Sequence, residues 1–404
     1  MITCKNCGHQ EPHYLGDHLQ QAHGMTASEY LELYPDAPTM SARLMDEFKK
    51  RFTAPRRQHP PALTDLTIHF GDMKNLRFQV NAGVPPEVCL PLPPHYRLPR
   101  TGDLSTDVKH ALISLKFGRS MYIWGLPGSG KDALFHAWSA RTRTPAIIRQ
   151  TKPGTDIQAW FFSRSFNQEG TFWEEGEILK ALRDGYLLPD GTRVPYMLLI
   201  TDFDRADRAQ AEHVRLITDS IQGRVDGPQG TFHVLAGTRI VATANTSGAG
   251  DSRGRMISAN PIDASIMDRF ERAYMFRWME WVDEEPIVRA KFPTLTSRVP
   301  KIFTKMGKVT KALRDAIMEE KLHGEFSHRG VCAILGHAQD ILEVVGDNVP
   351  DDLMQMAARP WLDKLPDAET RQDAQNIMDP HLKGGLIAEG DKKHIKEGSL
   401  VEGL

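Results

Sequence analysis

Features that direct a protein into or across a membrane are missing from this sequence of 404 residues. No apolar run reaches the roughly 18 residues that a membrane-spanning helix needs, and the first residues lack the charged and apolar regions of a signal peptide. Charge of one sign is missing too, because 50 Lys and Arg residues nearly balance 52 Asp and Glu residues. We therefore expect a cytoplasmic protein without membrane contact, in which binding to nucleic acid would depend on local basic patches.

Cysteine is scarce as well, with four in the chain, which excludes a scaffold built on disulfides. Cys89 and Cys332 are isolated, whereas Cys4 and Cys7 form a close pair. In a chain without an export signal, a Cys-x-x-Cys pair indicates metal or redox chemistry. The sequence therefore predicts a reducing compartment and a metal site near the N-terminus.

The cysteine pair belongs to a larger zinc-binding pattern, Cys4-x2-Cys7-x10-His18-x4-His23. Two thiolates from a tight turn and two imidazoles near one helix face can complete a tetrahedron around Zn²⁺. So short a segment cannot bury enough apolar surface alone, so we expect the metal to supply its folding free energy. The loop before the first histidine is short for a Cys-Cys-His-His finger, which leaves His9 and His13 as competing ligands.

The histidine segment, from His18-Leu19 to Glu29-Tyr30, resembles the prokaryotic zinc fingers of the Ros/MucR type. Many fingers of that type bind DNA and others dock proteins, so the resemblance leaves DNA open as a partner. A basic run follows, and it would either contact phosphates or form a solvated linker: Lys49, Lys50, Arg51, Arg56 and Arg57.

Further along the chain, short apolar strands alternate with helices up to about residue 280. Strands of this kind, separated by helices, indicate a mostly parallel sheet that is covered on both faces. Residues 283–345 have a helical pattern throughout. The sequence therefore predicts an α/β core followed by a helical domain.

A glycine-rich motif lies between an apolar strand and a helix: Gly125-Leu126-Pro127-Gly128-Ser129-Gly130-Lys131-Asp132. Glycines let successive backbone N–H groups surround a phosphate, and the helix N-terminus adds favourable partial charge. The spacing predicts a phosphate loop that binds ATP, with Ala133 also in the site and Lys131 reaching the β- and γ-phosphates. One position departs from the pattern, because Asp132 stands where Ser or Thr would bind magnesium.

A second element of a nucleotide site follows the apolar strand Met197-Leu198-Leu199-Ile200, which runs into Thr201-Asp202-Phe203-Asp204-Arg205-Ala206. That segment is similar to the Asp-Glu-Ile-Asn-Arg-Ala segment of the MoxR-type AAA+ ATPases. Ile266-Met267-Asp268-Arg269-Phe270 resembles the Leu-Asp-Arg-Phe segment of the same family. The resemblance implies that Arg269 acts in trans on the nucleotide of a neighbouring subunit, in a ring that we expect to be hexameric.

Two more site residues follow from this resemblance. Asn245 ends the strand that begins near Thr238, where the family places the sensor 1 residue that positions the attacking water. Arg329, within Ser327-His328-Arg329-Gly330, corresponds to the sensor 2 arginine of the lid.

Within the family, the chain resembles the small-subunit cobaltochelatase (CobS-like) branch. The resemblance is carried by Leu92-Pro93-Pro94-His95-Tyr96 and by the stretch from Phe172 to Arg183. It implies a von Willebrand A-domain partner and a client that is remodelled at the expense of MgATP.

We accordingly predict five segments: a zinc finger in 1–40, a basic and proline-rich linker with a pre-ATPase segment in 41–100, an AAA+ α/β core in 101–280, a helical lid in 281–348 and a poorly ordered tail in 349–404.

The two substituted positions admit two interpretations. Aligned on the family segment, Thr201 takes the place of the magnesium-side aspartate and Asp202 that of the catalytic glutamate. Asp132 and Thr201 would then have exchanged carboxylate and hydroxyl at one magnesium ion, which prefers oxygen ligands of either kind. In the competing register Asp202 binds the metal, Phe203 replaces the catalytic acid, and the ATPase is weak or inactive. We favour the exchange because the apolar strand stops at Ile200.

The sequence thus predicts a ring-forming ATPase that remodels a macromolecular client. Two other functions stay open. One is a DNA-acting motor that the finger targets to DNA, and the other is a nucleotide-gated scaffold that hydrolyses ATP poorly.

Overall fold

The computed structural model describes residues 1–12, 15–25, 27–39, 41–42, 65–68, 76–167, 170–218, 224–228, 230–250, 259–346 and 348–382. The chain divides into two compact units, Met1–Leu63 and Thr64–Leu404. The basic run that the sequence proposes as a phosphate contact lies outside the described residues.

The first unit is a small finger of two strands and two helices: β1 (Ile2–Thr3), β2 (Gln10–Glu11), α1 (Gly16–His23) and α2 (Ala27–Leu33). The strands pair antiparallel, and α1 ends at Gly24, whose φ of 63° lets the chain turn away from the helix. The buried hydrophobic residues described in this unit are few: Ile2, Cys4, Leu15, Leu19, Tyr30 and Ala37.

The strands of the second unit are β3 (Asp65–Ile68), β4 (Leu76–Gln79), β5 (Met121–Trp124), β6 (Ala146–Gln150), β7 (Phe162–Asn167), β8 (Gly170–Glu175), β9 (Tyr186–Leu187), β10 (Arg193–Val194), β11 (Met197–Thr201), β12 (Arg224–Gly227), β13 (Gly230–His233), β14 (Arg239–Ala244) and β15 (Arg272–Met275). Its helices are α3 (Gly102–Lys116), α4 (Lys131–Thr142), α5 (Glu177–Asp184), α6 (Arg208–Thr218), α7 (Ala264–Met267), α8 (Trp281–Lys291), α9 (Pro293–Arg298), α10 (Lys301–Met318), α11 (His328–Val345), α12 (Leu353–Leu362) and α13 (Ala368–Leu382).

A five-stranded parallel sheet forms the centre of this unit, in the order β15-β5-β14-β11-β6. The strands are nearly continuous apolar runs because both faces of the sheet are covered. In β11, Leu198 and Ile200 pack with helices α5 and α6, whereas Met197 and Leu199 pack with α3 and α4. All carboxyl ends of the parallel strands therefore meet at one edge of the sheet.

Four antiparallel hairpins accompany this sheet among the described residues: β3–β4, β7–β8, β9–β10 and β12–β13. The sequence predicts a hairpin-like turn at Val225-Asp226-Gly227, and strands β12 and β13 pair there. The β7–β8 hairpin is not predicted from the sequence. It exposes Phe166 (80%) and Phe172 (43%), so an apolar surface stands out from the core.

Helices α8 to α13 form a second hydrophobic core, which contains Phe303, Leu335 and Trp361. The predicted helical pattern of 283–345 corresponds to α8 to α11, but residues 319–327 between α10 and α11 are not helical. The sequence also predicts a poorly ordered tail from residue 349, and the structure differs over 353–382, where α12 and α13 lie. The reason is an apolar stripe in α12 that includes Leu353, Met354 and Ala357 and is buried in this core.

The predicted fold class is confirmed in its architecture: an α/β unit with a mostly parallel sheet, a C-terminal helical domain (the predicted lid) and a small N-terminal finger with a Cys/His cluster. No helix among the described residues is long and apolar enough to cross a membrane.

Candidate nucleotide-binding site and metal cluster

The phosphate loop joins β5 to α4 and needs its glycines for conformation and space. Gly125, Gly128 and Gly130 have φ values of 152°, 69° and 85°, which residues with side chains rarely adopt. A Cβ on Gly125 would overlap the carbonyl of Phe276, and one on Gly128 would overlap the side chain of Ser327. A Cβ on Gly130 would meet open space within the described structure. The loop therefore packs closely against Phe276 and Ser327, and it has open space at Gly130, where helix α4 begins.

Lys131 is the first residue of α4 and is only 9% exposed. Its Nζ donates hydrogen bonds to the carbonyls of Gly125 (2.7 Å) and Leu126 (3.3 Å) and to Oδ1 of Asn245 (3.1 Å). Burial lowers the pKa of Lys131 below its usual value. Nearby carboxylates offset only part of this effect: Asp132, Asp204, Asp202 and Glu325. A phosphate would offer this buried ammonium a charged acceptor in place of neutral carbonyls, and charge-assisted hydrogen bonds are stronger.

Asp132 and Thr201 approach the same region from a helix and from the sheet. The hydroxyl of Thr243 donates to Oδ1 of Asp132 at 2.7 Å. Ile200 of β11 pairs with Ala242 of β14, so the next residues along the two parallel strands, Thr201 and Thr243, follow side by side. Leu199 and Val241, two residues earlier on these strands, pack on the α4 side of the sheet, so the alternation of side chains directs both threonines to that face.

Asp202 follows β11 in the left-handed conformation, with φ 54° and ψ 37°. Its carboxylate accepts hydrogen bonds from Nε2 of Gln150 (2.7 Å) and from Nδ2 of Asn245 (3.4 Å). Its carbonyl accepts one from the hydroxyl of Thr151 at 2.6 Å. A left-handed residue with a side chain costs roughly 1–2 kcal/mol, and these contacts offset that cost. The carboxylate therefore stands at the ends of β6, β11 and β14 together.

The two residues after this aspartate point into the protein. Phe203 is fully buried, with its ring 6.0 Å from that of Phe270. Asp204 is 1% exposed, and its Oδ2 accepts hydrogen bonds from the N–H groups of Asn245 (3.0 Å) and Thr246 (2.9 Å) and from the Thr246 hydroxyl (3.0 Å). Asp204 is thus a positioning residue, because it fixes the backbone of Asn245 at the end of β14.

The remaining loop residues suit a polyphosphate. Ser129 is 6% exposed, and its buried hydroxyl has no hydrogen-bond partner among the described residues. A buried polar group without a partner costs about 1–3 kcal/mol, which a phosphate oxygen would relieve. Trp278 donates from Nε1 to the carbonyl of Pro127 at 3.1 Å and so anchors the loop to the segment before α8. Ala133 lies in the first turn of α4.

The candidate magnesium ligands offer only oxygen atoms. Asp132, Thr201 and Asp202 supply two carboxylates and a hydroxyl, the ligand type that Mg²⁺ prefers. The donor set therefore fits a nucleotide-bound magnesium ion.

Arg269 lies at the opposite edge of the sheet from the phosphate loop of its own chain. Its carbonyl accepts a hydrogen bond from the hydroxyl of Ser120 at 3.4 Å, and its side chain is exposed. Ser120 precedes β5, whereas the loop follows it, and the four residues of β5 span about 13 Å. Arg269 is therefore not brought together with Lys131, Asp202 and Asn245.

Helix α11 of the lid begins beside the phosphate loop, because its N-cap Ser327 lies against Gly128. The Ser327 hydroxyl accepts a hydrogen bond from the N–H of Arg329 at 3.2 Å. The side chain of Arg329 is exposed at this helix start. The structure thus places the predicted sensor 2 arginine on the element that adjoins the loop.

In the finger, four side chains have their ligand atoms within 4.8 Å of one another: Cys4, Cys7, His18 and His23. Sγ of Cys7 lies 3.2 Å from Nε2 of His18 and 3.3 Å from Nε2 of His23. Sγ of Cys4 lies 3.7 Å from Nε2 of His23. Sulfur and nitrogen ligands of one tetrahedral zinc ion stand about 3.5 Å apart, so the geometry fits Zn²⁺.

The competing ligand His9 lies outside this cluster. Its ring stacks on that of His18 with centroids 4.2 Å apart, and its Nε2 lies 2.9 Å from a carboxylate oxygen of Glu11. His13, the other competitor, falls outside the described residues. The described geometry therefore favours the predicted set of two cysteines and two histidines.

Three residues at the nucleotide site are not predicted from the sequence: Gln150, Thr243 and Ser327. Gln150 and Thr243 are polar residues at or near the carboxyl ends of apolar strands, and Ser327 caps a helix. The signal in the sequence is therefore a polar side chain at the carboxyl edge of the sheet or at a helix start. That signal becomes specific only when strand order is known, because Gln150 contacts Asp202 across 52 positions of sequence.

No protein-family model matches the chain, and no curated protein matches its sequence. Solved structures that are similar to it include RuvB of Thermotoga maritima, described as a Holliday junction branch migration motor, at 14% identity and a TM-score of 0.40. Two single-substitution mutants of the same RuvB match at 13% identity and a TM-score of 0.41. The alignments cover 64% of this chain and 66% to 67% of the RuvB chains.

Proposed function

We propose that this chain is a AAA+ ATPase that binds MgATP at the phosphate loop and hydrolyses it. The observation that carries the proposal is a continuous set of contacts at the carboxyl edge of the sheet. Lys131 contacts Asn245 at 3.1 Å, and Asn245 contacts Asp202 at 3.4 Å. A cation for the phosphates, an amide for a water molecule and a carboxylate for its proton thus stand next to one another.

Each group has a role in an in-line displacement. The backbone N–H groups of the loop and Lys131 bind the β- and γ-phosphates and stabilise the charge that develops on them. Asn245 and Asp202 orient a water molecule, and Asp202 accepts hydrogen bonding from it as its oxygen attacks the γ-phosphorus. The bond from that phosphorus to the bridging oxygen breaks, and ADP and phosphate leave.

A cavity of about 550 Å³ adjoins Leu126 of the loop and extends between the β15–α8 segment and helix α10. Trp278, Trp281 and Thr310 line it. Aromatic and apolar side chains line the cavity together with charged ones such as Glu285 and Arg314, so it offers a nucleobase both a stacking surface and hydrogen-bond partners beside the phosphate loop. We assign it to the base of the nucleotide.

The exchange of Asp132 and Thr201 belongs to this proposal. Asp132, on α4, accepts a hydrogen bond from Thr243, and Thr201 faces α4 from the strand next to Thr243, which supports a shared metal-facing position. The competing register would need Phe203 in the place of the catalytic acid. Phe203 is completely buried, so an aromatic side chain can occupy this position without touching the nucleotide.

A ring completes the site in this proposal. Arg269 is remote from the phosphate loop of its own chain, so it can stabilise transition-state charge only on a neighbouring subunit's nucleotide. Its exposure at the sheet edge supports a place in a subunit interface. The hexameric count, the MoxR/CobS-like branch and the von Willebrand A-domain partner stay predictions from the sequence resemblance.

The client is proposed to be a macromolecule that contacts the β7–β8 hairpin. Phe166 and Phe172 are exposed on this hairpin, and the guanidinium of Arg164 lies 4.8 Å from the Trp173 ring centroid. Exposed aromatic residues flanked by a cation can bind an extended polypeptide or stack on unpaired bases. The first client is preferred because the chain has no net positive charge, and DNA is the second candidate because of the finger.

Steady-state ATP hydrolysis separates these functions. We expect magnesium-dependent turnover in the wild type, and a loss of at least about a hundredfold in Lys131→Ala, because one preorganised charge contact is removed. The assay is repeated with double-stranded DNA, with single-stranded DNA and with variants that lack residues 1–40 or carry Phe166→Ala. Stimulation by DNA that disappears without residues 1–40 favours the DNA motor. No turnover in the wild type, with ATP bound, leaves only the scaffold.

A further inference from the structure

The lid contains a chain of ionisable side chains that the nucleotide site does not use. Nε2 of His328 lies 3.3 Å from Sγ of Cys332, one turn further along α11. Nδ1 of the same histidine lies 2.8 Å from Oε1 of Glu284 on α8. Glu284 is 1% exposed and also pairs with Arg314 of α10 at 2.8 Å. A thiol, an imidazole and a buried carboxylate thus follow one another in hydrogen-bond contact.

Each element packed around the thiol contributes to its charge state. Burial raises the pKa of Cys332, but the hydrogen bond and charge of His328 and the ammonium of Lys291 outweigh it, so the thiol is more acidic than usual. Burial alone would lower the pKa of His328, whereas its hydrogen bonds to Cys332 and Glu284 raise it to about 9. The contact therefore favours a thiolate on Cys332 beside an imidazolium on His328.

The surroundings of the thiol distinguish this cysteine from Cys89, the other cysteine of the large unit, since both are partly exposed. Cys332 has a hydrogen-bonded imidazole, His328, and a second cation, Lys291, which together lower its pKa. The thiol of Cys89 lies 3.7 Å from the carbonyl of Pro85, and burial raises its pKa despite the charge of Arg143. Nucleophilic thiols stand in electropositive, partly accessible surroundings, and structural thiols do not.

We propose that Cys332 is a peroxide-reactive modification site in the lid, activated by His328 and oriented through Glu284. The thiolate sulfur attacks one oxygen of hydrogen peroxide, an S–O bond forms and the O–O bond breaks. The leaving hydroxide takes the proton from Nε2 of His328 and becomes water. Sulfur is oxidised by two electrons to a sulfenic acid, and the peroxide is reduced by the same two electrons.

Oxidation changes the lid because it replaces the thiolate–imidazolium pair by two neutral groups. His328 follows Ser327, which caps α11 and lies against Gly128 of the phosphate loop. Glu284 keeps Arg314 but loses a cationic neighbour. We expect the lid to unfold at a lower temperature once Cys332 is oxidised, whether or not the chain hydrolyses ATP.

The test treats the full chain with hydrogen peroxide in the presence of dimedone, and peptide mass spectrometry follows each cysteine separately. We expect Cys332 to be labelled at least about tenfold faster than Cys89, its internal control. In denaturant the two rates should become equal, because the folded surroundings create the difference. His328→Gln keeps a polar side chain without the charge and should bring Cys332 close to the rate of Cys89.

Thermal unfolding supplies the second measurement. Peroxide should lower the unfolding temperature of the wild type and leave that of Cys332→Ser unchanged. Equal labelling of the two cysteines in the folded wild type would overturn the proposal. It would also be overturned if His328→Gln, with an unchanged unfolding temperature, reacted as fast as the wild type.

Discussion

The two units of this protein hold their functional groups in opposite ways. In the finger, the candidate zinc ligands include Cys4, which is itself one of the six buried hydrophobic residues that the structure describes there. In the large unit, the sheet is buried between two apolar layers, and Lys131, Asp202 and Asn245 stand at its edge. We therefore expect the finger to need its metal ligands in order to fold, whereas the apolar layers of the sheet can stabilise the large unit without the polar side chains at its edge.

The largest expected effect comes from removing the metal. Cys4→Ser combined with Cys7→Ser should abolish zinc binding, and with it the roughly 10 kcal/mol or more that a structural zinc supplies to so small a fold. Metal analysis should show the loss of one zinc ion per chain, and amide exchange within residues 1–39 should become fast.

The large unit provides the control for this experiment. Its unfolding temperature and its ATP hydrolysis should not change in the double variant, since its own hydrophobic cores are intact. Cys89→Ser, away from the finger, should leave the zinc content unchanged. Full zinc content in the double variant would refute the ligand assignment and return His9 and His13 as candidates.

A smaller effect, on activity alone, is expected at the opposite edge of the sheet. Arg269→Ala should reduce ATP hydrolysis by about a thousandfold, as expected for an arginine that acts in trans, while nucleotide binding and the unfolding temperature stay nearly unchanged. Mixing this variant with Lys131→Ala should restore part of the activity, because a mixed ring contains some complete interfaces. Turnover is measured across mixing ratios.

Arg272→Ala is the matched control, because Arg272 is an exposed arginine three positions away on the first residue of β15. Its turnover should remain near that of the wild type. A monomeric chain with full activity, or a mixture no more active than its two components, would rule out action in trans.

These comparisons also show what the sequence can predict. The fold class follows from the apolar strands and the glycine spacing, because both patterns are local. The approach of Gln150 to Asp202 does not follow, since it depends on β6 lying beside β11. The sequence did not predict α12 for another reason. The composition near the C-terminus is dominated by residues beyond 382, and the apolar stripe of α12 is short.

The chain of ionisable side chains in the lid had no signal in the sequence. Arg314 and His328 lie 30 and 44 positions after Glu284, and each residue type is usually solvated when it occurs on a helix. Only packing of α8, α10 and α11 brings them together.

The smallest expected effect tests whether Asp132 and Thr201 have exchanged roles at the magnesium ion. Asp132→Thr removes one negative charge from the site, and Thr201→Asp adds one, so each single variant should hydrolyse ATP more slowly. The double variant restores the charge and the ligand types with their positions reversed. Coupled neighbours typically interact by about 0.5–3 kcal/mol. The double variant should therefore hydrolyse ATP about tenfold faster than independent losses in the two single variants would allow.

Hydrolysis measured against magnesium concentration separates metal binding from the chemical step. If the two residues have exchanged roles, each single variant should change the magnesium concentration needed for half-maximal hydrolysis. The double variant should return that concentration toward the wild-type value. Thermal unfolding is the control, because Thr201 is 8% exposed and its replacement by Asp can also weaken the sheet. Thr243→Val offers a second check, since it removes the 2.7 Å hydrogen bond to Asp132 without changing charge.

If the losses of the two single variants simply add, the exchange is wrong. Asp202 would then be the metal ligand, and the site would lack a catalytic acid because Phe203 is turned into the core.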